Sequence, residues 1–303
     1  GAAGAAITIV ALPGFLIGAF APEIKDDLAF GDTELGALLT FGYLTSSIVM
    51  STAGGVADKK GPQLILRIGV LIAAIAAILT GTISNTYLLL LLCIVLNRVA
   101  EGIIQPATNT LISTGVRQER QGMAMAIKQS AVPFSTALAG IAVPTLGLLF
   151  GWRGAFLIVA LLALPTWVAI PKVPVAKMKT FPSRREMWGS RHLQIIAIAG
   201  AFSAAAVISV SGFLTTAAKN AGYSESSAGL ILGLGGVVMI AARLAWGYLA
   251  DRFEFDRFRA VAVSLLTGSI AFILFSIGTK ATILVGALFV FGIGWSWPGL
   301  LLL

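Results

Sequence analysis

The stretch GGVADKKG, residues 54–61, ends a long apolar run and opens a short charged turn. Gly54 and Asp58 are four residues apart, so they share one face of the last turn of a helix. The Gly-Pro pair that follows stops that helix. The spacing Gly-x-x-x-Asp-(Lys/Arg) returns in GYLADR, residues 247–252, where Asp251 follows Asp58 by 193 residues. Two such turns, each after a long apolar run, predict a chain built from two related halves.

The composition indicates an integral membrane protein. Of 303 residues, 57% are hydrophobic and 11% are charged, and the mean hydropathy is +0.94. A soluble domain carries about 25% charged residues. Continuous apolar runs predict membrane-spanning helices, and their lack of alternation argues against a β-barrel. We predict ten apolar segments, at 2–21, 34–57, 64–83, 86–115, 122–150, 152–171, 192–217, 225–250, 259–278 and 281–303.

Positive charge collects in alternate loops, and this orients the predicted helices. If the turn after the second segment is cytoplasmic, the cytoplasmic loops hold fourteen lysines and arginines and the outside loops hold four. Membrane proteins keep an excess of positive charge in cytoplasmic loops, so we expect a multi-pass protein of the cell (inner or plasma) membrane with a cytoplasmic, basic central loop. The predicted domains are a six-helix bundle over 1–171, a linker over 172–191 and an incomplete bundle of about four helices over 192–303.

Cysteine and histidine are too scarce for most catalytic or metal sites. Cys93 and His192 are the only residues of their kinds, so neither a disulfide framework nor a thiolate cluster is possible. The sequence contains no zinc-protease motif and no nucleophile–base constellation. We therefore predict that the protein is not an enzyme and needs no cofactor or metal. Its net charge of +8 lies mostly in loops, so the predicted partners are the bilayer and a small-molecule substrate rather than nucleic acid.

The two turns and one polar helix motif resemble a known family. The turn after the second segment, and its weaker copy with Phe253 and Glu254 in place of a following glycine, are similar to the loop signature of the major facilitator superfamily of secondary transporters. Arg98 and Gly102 resemble the family's Arg-x-x-x-Gly motif on helix four. The resemblance implies an all-α, polytopic membrane protein with a two-bundle fold, in which about ten of the usual twelve helices are present and helices eleven and twelve are missing. It also implies a gating role for Gly54, Asp58, Lys59, Gly61, Gly247, Asp251 and Arg252.

The fifth segment and the chain after it favour one branch of that family. Drug–proton antiporters of the family carry a Gly-Pro signature on helix five, whereas no glycine precedes Pro133 here. The run KQSAVP at 128–133, GWR at 151–153 and WSWPG at 295–299 resemble the cyanate and nitroimidazole transporter branch.

Four charged residues lie inside predicted membrane helices, where each charge costs about 2.5–3.5 kcal/mol. Arg98 either contacts a substrate or pairs with Glu101 at i+3 on its own helix. Lys128 either holds an anion or extends to the aqueous interface. Arg243 has no acid within four residues and no counterpart in the first half, where Met50 stands. It either binds the substrate or pairs with a group on another helix.

Polar and aromatic residues near these charges complete the predicted site. Gln105 shares a helix face with Arg98, and Gln129 adjoins Lys128. Tryptophans beside a helix-breaking proline near the chain's end suit a ligand cavity, although packing is the better explanation for any single aromatic residue. The predicted substrate-binding residues are Arg243, Lys128, Arg98, Gln129, Gln105, Trp295 and Trp297, and the predicted coupling carboxylate is Glu101.

The excess of positive charge in the apolar segments predicts the class of substrate. We expect a monomeric secondary transporter that moves a small organic or inorganic anion by alternating access, by symport with a proton carried on Glu101. Two alternatives stay open. One is a drug–proton antiporter that exports a neutral or cationic compound, and the other is a non-transporting membrane sensor or a lipid flippase. The residues identify neither the substrate nor the direction of transport.

Overall fold

The computed structural model describes residues 1–171, 191–252 and 257–294, which are helical apart from short connections. These residues contain no strand, and this confirms the all-α class. The helices are α1 (Ala2–Ala19), α2 (Ala21–Leu28), α3 (Asp32–Lys60), α4 (Pro62–Thr82), α5 (Tyr87–Gly115), α6 (Gln118–Ala142), α7 (Leu148–Ala169), α8 (Arg191–Asn220), α9 (Glu225–Arg252), α10 (Arg257–Ile277) and α11 (Lys280–Phe289), with π-helical turns at Val143–Gly147 and Val290–Gly294.

The charged turn after the second apolar segment ends α3 and begins α4, as the sequence predicts. Gly61 has a φ of 88°, a conformation that strains any residue with a side chain. Pro62 is the first residue of α4, where its missing N–H costs no helical hydrogen bond. This pair of residues therefore sets the reversal between α3 and α4.

Gly151 divides the longest apolar stretch into two spans. Residues 123–169 form a stretch of 47 residues, which as one straight helix would be about 70 Å long against a hydrocarbon core of about 30 Å. Gly151 interrupts it with φ 64° and ψ 179°. The residues after Gly151 run back along α4, where Arg67 lies 4.7 Å from the ring of Trp167. The break falls at the predicted boundary between the fifth and sixth segments.

The described part of the chain contains eight helical stretches that are long and apolar enough to cross a membrane, and the stretch divided at Gly151 counts as one of them. A shorter apolar helix lies at Lys280–Ile293. Large apolar side chains cover their outer faces; Phe202 is 75% exposed and Leu266 is 71% exposed. Such faces suit lipid rather than water. Most of the predicted linker over 172–191 lies outside the described residues, so the division into two bundles stays a prediction.

The helix α1 lies at the centre and touches both parts of the chain. It packs against α5, α6 and α7 and, beyond residue 191, against α8. A Cβ added at Gly14 would lie 2.0 Å from Nη2 of Arg98, and one added at Gly18 would lie 2.3 Å from the carbonyl oxygen of Ser211. The hydroxyl of Thr215 donates to the carbonyl of Gly18. Glycine at these two positions therefore lets Arg98 of α5 and the backbone of α8 come close to α1.

The helices α6 and α9 meet along a contact made by small residues, here called the α6–α9 seam. A Cβ added at Gly140 would lie 2.1 Å from the nitrogen of Gly233. One added at Gly236 would lie 2.4 Å from the nitrogen of Ala137 and 2.6 Å from the carbonyl oxygen of Pro133. These are backbone atoms, which cannot rotate aside. Close approach through small residues is a common way for membrane helices to associate.

The seam makes a prediction about stability. We expect Gly140→Ala to destabilise the protein by about 1–3 kcal/mol, because a methyl group has no room between two backbones. Gly55→Ala is the matched control, since a Cβ there meets nothing within 4 Å and alanine is favoured over glycine inside a helix by about 0.5–1 kcal/mol. Thermal unfolding of the two purified variants checks this. Equal melting temperatures would contradict the close contact.

The two ends of the helices differ in charge. We call the end that carries α2 the acidic end and the end that carries Lys59 the basic end. At the acidic end, Nζ of Lys219 lies 3.6 Å from Oδ2 of Asp26 and 2.6 Å from Oε1 of Glu225. The Lys219–Asp26 contact and the Thr215–Gly18 hydrogen bond join the helices before residue 171 to those after residue 191 at the acidic end.

A half-buried carboxylate beside this contact predicts a dependence on pH. Glu23 on α2 accepts the N–H of Trp152 at 3.2 Å. Burial raises the pKa of Glu23 above its ordinary value; the carboxylates of Glu225 and Asp27 add to the rise, and the hydrogen bond from Trp152 opposes it. The folded state therefore binds this proton more tightly than the unfolded state does, and stability falls as the pH rises through the folded pKa.

We therefore expect Glu23→Gln to raise the melting temperature at pH 7, because the amide keeps the acceptor oxygen and removes the buried charge. The difference from the wild type should vanish below about pH 4, where the carboxyl group is protonated in both states. Melting curves recorded between pH 3.5 and 8 test this. A variant that is less stable than the wild type at pH 7 would show that the Glu23 charge stabilises the acidic end.

Candidate substrate site

Arg98 lies in the interior between α1, α3 and α5, where Glu101 neutralises it. Arg98 is 2% exposed. Its Nη1 donates to Oε2 of Glu101 at 2.5 Å, and its Cζ lies 4.0 Å from the ring centre of Tyr43. Its Nε and Nη2 have no hydrogen-bond partner among the described residues. The pairing with Glu101, one of the two alternatives for Arg98, is therefore present, and two nitrogens of the guanidinium have no acceptor.

Glu101 is the middle residue of the 29-residue α5. It is the only carboxylate at such a position in the described helices, and its side chain is 13% exposed. Uptake of a proton by Glu101 would break the ion pair with Arg98, so a role in coupling requires Arg98 to find another partner. Glu101 therefore remains a candidate for proton coupling only if Arg98 finds another partner when Glu101 is protonated.

Lys128 is buried beside a neutral partner. The residue is 4% exposed, and its Nζ donates to Oδ1 of Asn109 on α5 at 2.8 Å. No carboxylate of the described residues lies within 4.0 Å of it. The amino group is buried within the protein while its acceptor, Asn109, is exposed, so both expectations for Lys128 stay predictions. Lys128 keeps an uncompensated positive charge in the interior.

Arg243 reaches from α9 across to α6. Its Nη1 donates to the backbone carbonyl of Gln129 at 2.6 Å, and its Nε has no partner among the described residues. The acceptor is a neutral group, and no described carboxylate lies within ion-pair distance. Arg243 is therefore paired with a group on another helix, which was one of the two alternatives for this residue, and that group carries no charge.

The predicted residues fall into two groups. Arg98 and Glu101 form a neutral pair between α1, α3 and α5, whereas Lys128, Gln129 and Arg243 bring two cations to the contact between α6 and its neighbours. On α5 the exposure rises from the buried Arg98 through the half-buried Gln105 to the exposed Asn109, so this polar face opens toward the basic end. Trp295 and Trp297 lie outside the described residues.

A cavity lies beside the second group. Its volume is about 400 Å³, and its lining is apolar except for hydroxyl groups of Thr8 and Ser130. Ser130 is the neighbour of Gln129, and Ile240, one turn before Arg243, also lines the wall. The volume is within the range of small-molecule sites. The remaining lining residues are Gly1, Gly4, Ala5, Ile127, Ala131 and Phe134.

The charged turn is held by α5. Oδ1 of Asp58 accepts a hydrogen bond from the hydroxyl of Thr110 at 3.0 Å, and a Cβ at Gly54 would lie 3.7 Å from Cβ of Pro106. This is an ordinary van der Waals distance, so a methyl group at position 54 would fit against Pro106. The side chains of the second copy, at Gly247, Asp251 and Arg252, lie outside the described residues, and a gating role for either copy stays a prediction.

The list of predicted site residues omitted four residues that contact the site, and one of them is Asn109, the acceptor of Lys128. Tyr43 covers the guanidinium of Arg98, Gly14 makes room for it, and Thr110 binds Asp58. The sequence provided a reason to consider Tyr43 as a site residue, since it is one of four tyrosines in the chain and lies inside an apolar segment. It provided none for Gly14, because glycine is frequent throughout this sequence.

Comparison with known proteins gives one family and several relatives. The sequence model of the Major Facilitator Superfamily matches residues 3–303. The chain is 26% identical over 141 residues to a probable L-galactonate transporter of Escherichia coli, and covers 31% of that protein with 46% of its own length. It is 25% identical over 268 residues to an MFS-type efflux pump of Mycolicibacterium smegmatis, with 82% of this chain and 62% of the relative covered. It is 26% identical over 144 residues to the probable sulfoacetate transporter SauU of Cupriavidus necator, with 48% and 33% covered.

Solved structures share the fold. A bacterial homologue of the human lysosomal transporter Spinster, in an inward-facing and occupied conformation, aligns with a TM-score of 0.76 at 19% identity, over 98% of this chain and 71% of that one. The nucleoside transporter NupG aligns with a TM-score of 0.77 at 17% identity, over 98% and 79%. The chain thus spans about a third to two thirds of the curated relatives and about three quarters of the solved structures.

Proposed function

This chain belongs to the major facilitator superfamily, and we propose that it moves a small organic anion across the cell membrane by alternating access. The observation that carries the proposal is a pair of cations without a charged partner among the described residues, the buried Lys128 and the half-buried Arg243, whose partners are the neutral amide of Asn109 and the neutral carbonyl of Gln129. We propose that the anion binds near these two side chains, next to the cavity that Ser130 and Ile240 help to line, with Gln129 and Gln105 as further contacts.

The charge balance favours an anion over a cation or a neutral compound. The only carboxylate at the centre of a described helix, Glu101, already neutralises Arg98. Lys128 and Arg243 remain, and a buried charge is costly until an opposite charge joins it. An anion that binds near both would lower that cost, whereas a cation would raise it.

Two of the relatives support the same class of substrate. Their names describe transporters of L-galactonate and of sulfoacetate, which are both organic acids. At 26% identity they support a class of substrate and no particular compound. The cyanate and nitroimidazole branch, which the sequence resembles, stays a prediction.

Alternating access suits the unequal contacts at the two ends. Lys219, Asp26 and Thr215 join the two parts of the chain at the acidic end, while the Arg243–Gln129 hydrogen bond joins them toward the basic end, where the cavity beside α6 also lies. We propose that residues 1–171 and 192–303 form the two bundles that move against each other in a monomer. The excess of positive loop charge supports a cytoplasmic basic end, with the linker over 172–191 on the same side.

Efflux is the second candidate, and the relative with the longest match favours it. That relative is named an efflux pump and aligns over 268 residues. A drug–proton antiporter would need Glu101 to carry the proton, and Glu101 is paired with Arg98. The missing glycine before Pro133 also argues against it.

Uptake by proteoliposomes separates the two candidates. We expect vesicles that contain the protein to accumulate radiolabelled L-galactonate or sulfoacetate above the level of empty vesicles, and to leave ethidium, a cationic drug, at the level of empty vesicles. Counterflow, in which unlabelled anion inside drives labelled anion in, tests binding and exchange without a coupling ion. Ethidium movement without anion movement would contradict the proposal and favour efflux.

A further inference from the structure

Arg67 lies on the outer surface of the protein, between α4 and α7. Its guanidinium covers the ring of Trp167 on α7, with Cζ 4.7 Å from the ring centre. Leu64 and Leu71, three residues before and four residues after Arg67, share its face of α4 and are exposed. Leu164, three residues before Trp167, is exposed on α7. Exposed leucines on both helices indicate a surface that faces lipid, so Arg67 belongs to the lipid-facing surface rather than to the interior.

The Arg67–Trp167 pair lies near the basic end, at the depth of the lipid headgroups. Arg67 follows Pro62, the first residue of α4, by five residues, so its Cα is about 7.5 Å from the start of that helix. Its Cα–Cβ bond tilts toward that start, and the guanidinium reaches a ring two residues before the end of α7. Tryptophan is enriched at the boundary between hydrocarbon and headgroups, and long basic side chains extend to the same level. The guanidinium therefore lies where lipid phosphates lie.

The charge of Arg67 has no opposite charge beside it in the described part of the chain. No described carboxylate lies within 4.0 Å, and Nε is buried without a hydrogen-bond partner. The ring of Trp167 attracts the cation but carries no net charge. Since the residue as a whole is only half-buried, the rest of the guanidinium is accessible from the bilayer. An anionic group from that side would balance the charge.

We propose that Arg67 and Trp167 form a binding site for the headgroup of an anionic phospholipid, with the guanidinium donating to phosphate oxygens and the acyl chains lying along the exposed leucines. A guanidinium binds phosphate through parallel, charge-assisted hydrogen bonds. Phosphatidylglycerol supplies the missing negative charge, whereas phosphatidylcholine brings a cation of its own and leaves the site with a net positive charge. The exposed Lys59 and Lys60 at the same end strengthen the attraction for an anionic headgroup.

The fluorescence of Trp167 tests the inference at the site itself. The difference in emission between the wild type and Trp167→Phe gives the signal of Trp167, and phenylalanine keeps an aromatic face for Arg67. Both proteins are titrated in detergent with phosphatidylglycerol or phosphatidylcholine that is brominated on the acyl chain, since bromine quenches tryptophans that it contacts. We expect half-quenching of Trp167 at an about fivefold lower fraction of phosphatidylglycerol than of phosphatidylcholine, the effect of one basic residue beside an anionic headgroup.

A charge-removing variant shows whether Arg67 causes this preference. Arg67→Gln keeps a polar side chain and removes the charge, so we expect quenching of Trp167 by the two lipids to become equal. Arg117→Gln is the matched control, because it makes the same chemical change at an exposed position of the basic end, at the start of α6. It should keep the preference. Equal losses in Arg67→Gln and Arg117→Gln would assign the preference to the overall surface charge and contradict a site.

Melting temperatures of the wild-type protein give a readout that needs no variant. Phosphatidylglycerol should raise the melting temperature in detergent more than phosphatidylcholine does, because a ligand that binds only the folded state stabilises it. Excess inorganic phosphate at constant ionic strength should leave this difference in place. Equal effects of the two lipids on quenching and on melting would overturn the inference. Displacement of phosphatidylglycerol by inorganic phosphate would also overturn it, because the site would then bind free anions rather than lipid.

Discussion

Arg243→Ala is expected to weaken the binding of L-galactonate by about 30- to 5,000-fold, which corresponds to about 2–5 kcal/mol. The variant removes the only arginine that reaches from α9 to α6 in the described structure and leaves the bound carboxylate without its two parallel hydrogen bonds. Arg243→Lys should fall between the wild type and Arg243→Ala, because lysine keeps the charge but loses the planar fork. Titration calorimetry on the purified variants measures both effects.

Stability distinguishes this binding role from a purely structural one. Lysine can still donate to the carbonyl of Gln129, so Arg243→Lys should keep the wild-type melting temperature while its affinity falls. Arg67→Lys is the matched control, since Arg67 lies on α4 beside Trp167 and away from the seam. If Arg243→Lys binds the anion as tightly as the wild type, bidentate binding by Arg243 is wrong.

Glu101→Ala is expected to destabilise the protein by about 3–5 kcal/mol. The substitution leaves the guanidinium of Arg98, which is 2% exposed, without its charged partner. The ring of Tyr43 at 4.0 Å attracts the guanidinium in both proteins, so it does not replace the lost charge of Glu101. Unfolding by sodium dodecyl sulfate, followed by tryptophan fluorescence, measures the change.

A double variant shows whether the pair itself is the cause. Arg98→Met combined with Glu101→Ala removes both charges, so we expect most of the lost stability to return. Gln105→Ala, one turn further along α5, is the control for truncation at a half-buried polar position. Wild-type stability in Glu101→Ala alone would contradict the pairing. If Glu101→Gln transports with an unchanged pH dependence, Glu101 is not the coupling group.

The sequence predicts the spans and their ends well because both depend on local signals. The charged turn at residues 59–62 combines a glycine at positive φ with a proline at a helix start, and these two residues are sufficient to end one helix and begin the next. Gly151 divides the fifth and sixth segments for a similar reason. Apolar runs of membrane length need no tertiary contact to be recognised.

The partners of the buried charges were harder to predict, because they depend on contacts between distant parts of the chain. The Arg98–Glu101 pair could be proposed, since the two residues are three apart on one helix. The acceptor of Arg243 is a backbone carbonyl 114 residues earlier, and every residue has such a carbonyl. The carbonyl of Gln129 differs from the other carbonyls of α6 near it because Pro133 lacks the N–H that would otherwise bind it. This difference points to Arg243 only once α6 and α9 are known to be in contact.

The most direct measurement compares L-galactonate with galactitol, in which a hydroxymethyl group replaces the carboxylate and the hydroxyl groups are otherwise retained. If Lys128 and Arg243 form an anion site, L-galactonate should bind the wild-type protein at least about tenfold more tightly than galactitol, the effect of a single charge-assisted contact. The preference should shrink in Arg243→Ala. Equal affinity for the two compounds in a protein that binds both, or binding of ethidium in their place, would contradict recognition of an anion by these two cations.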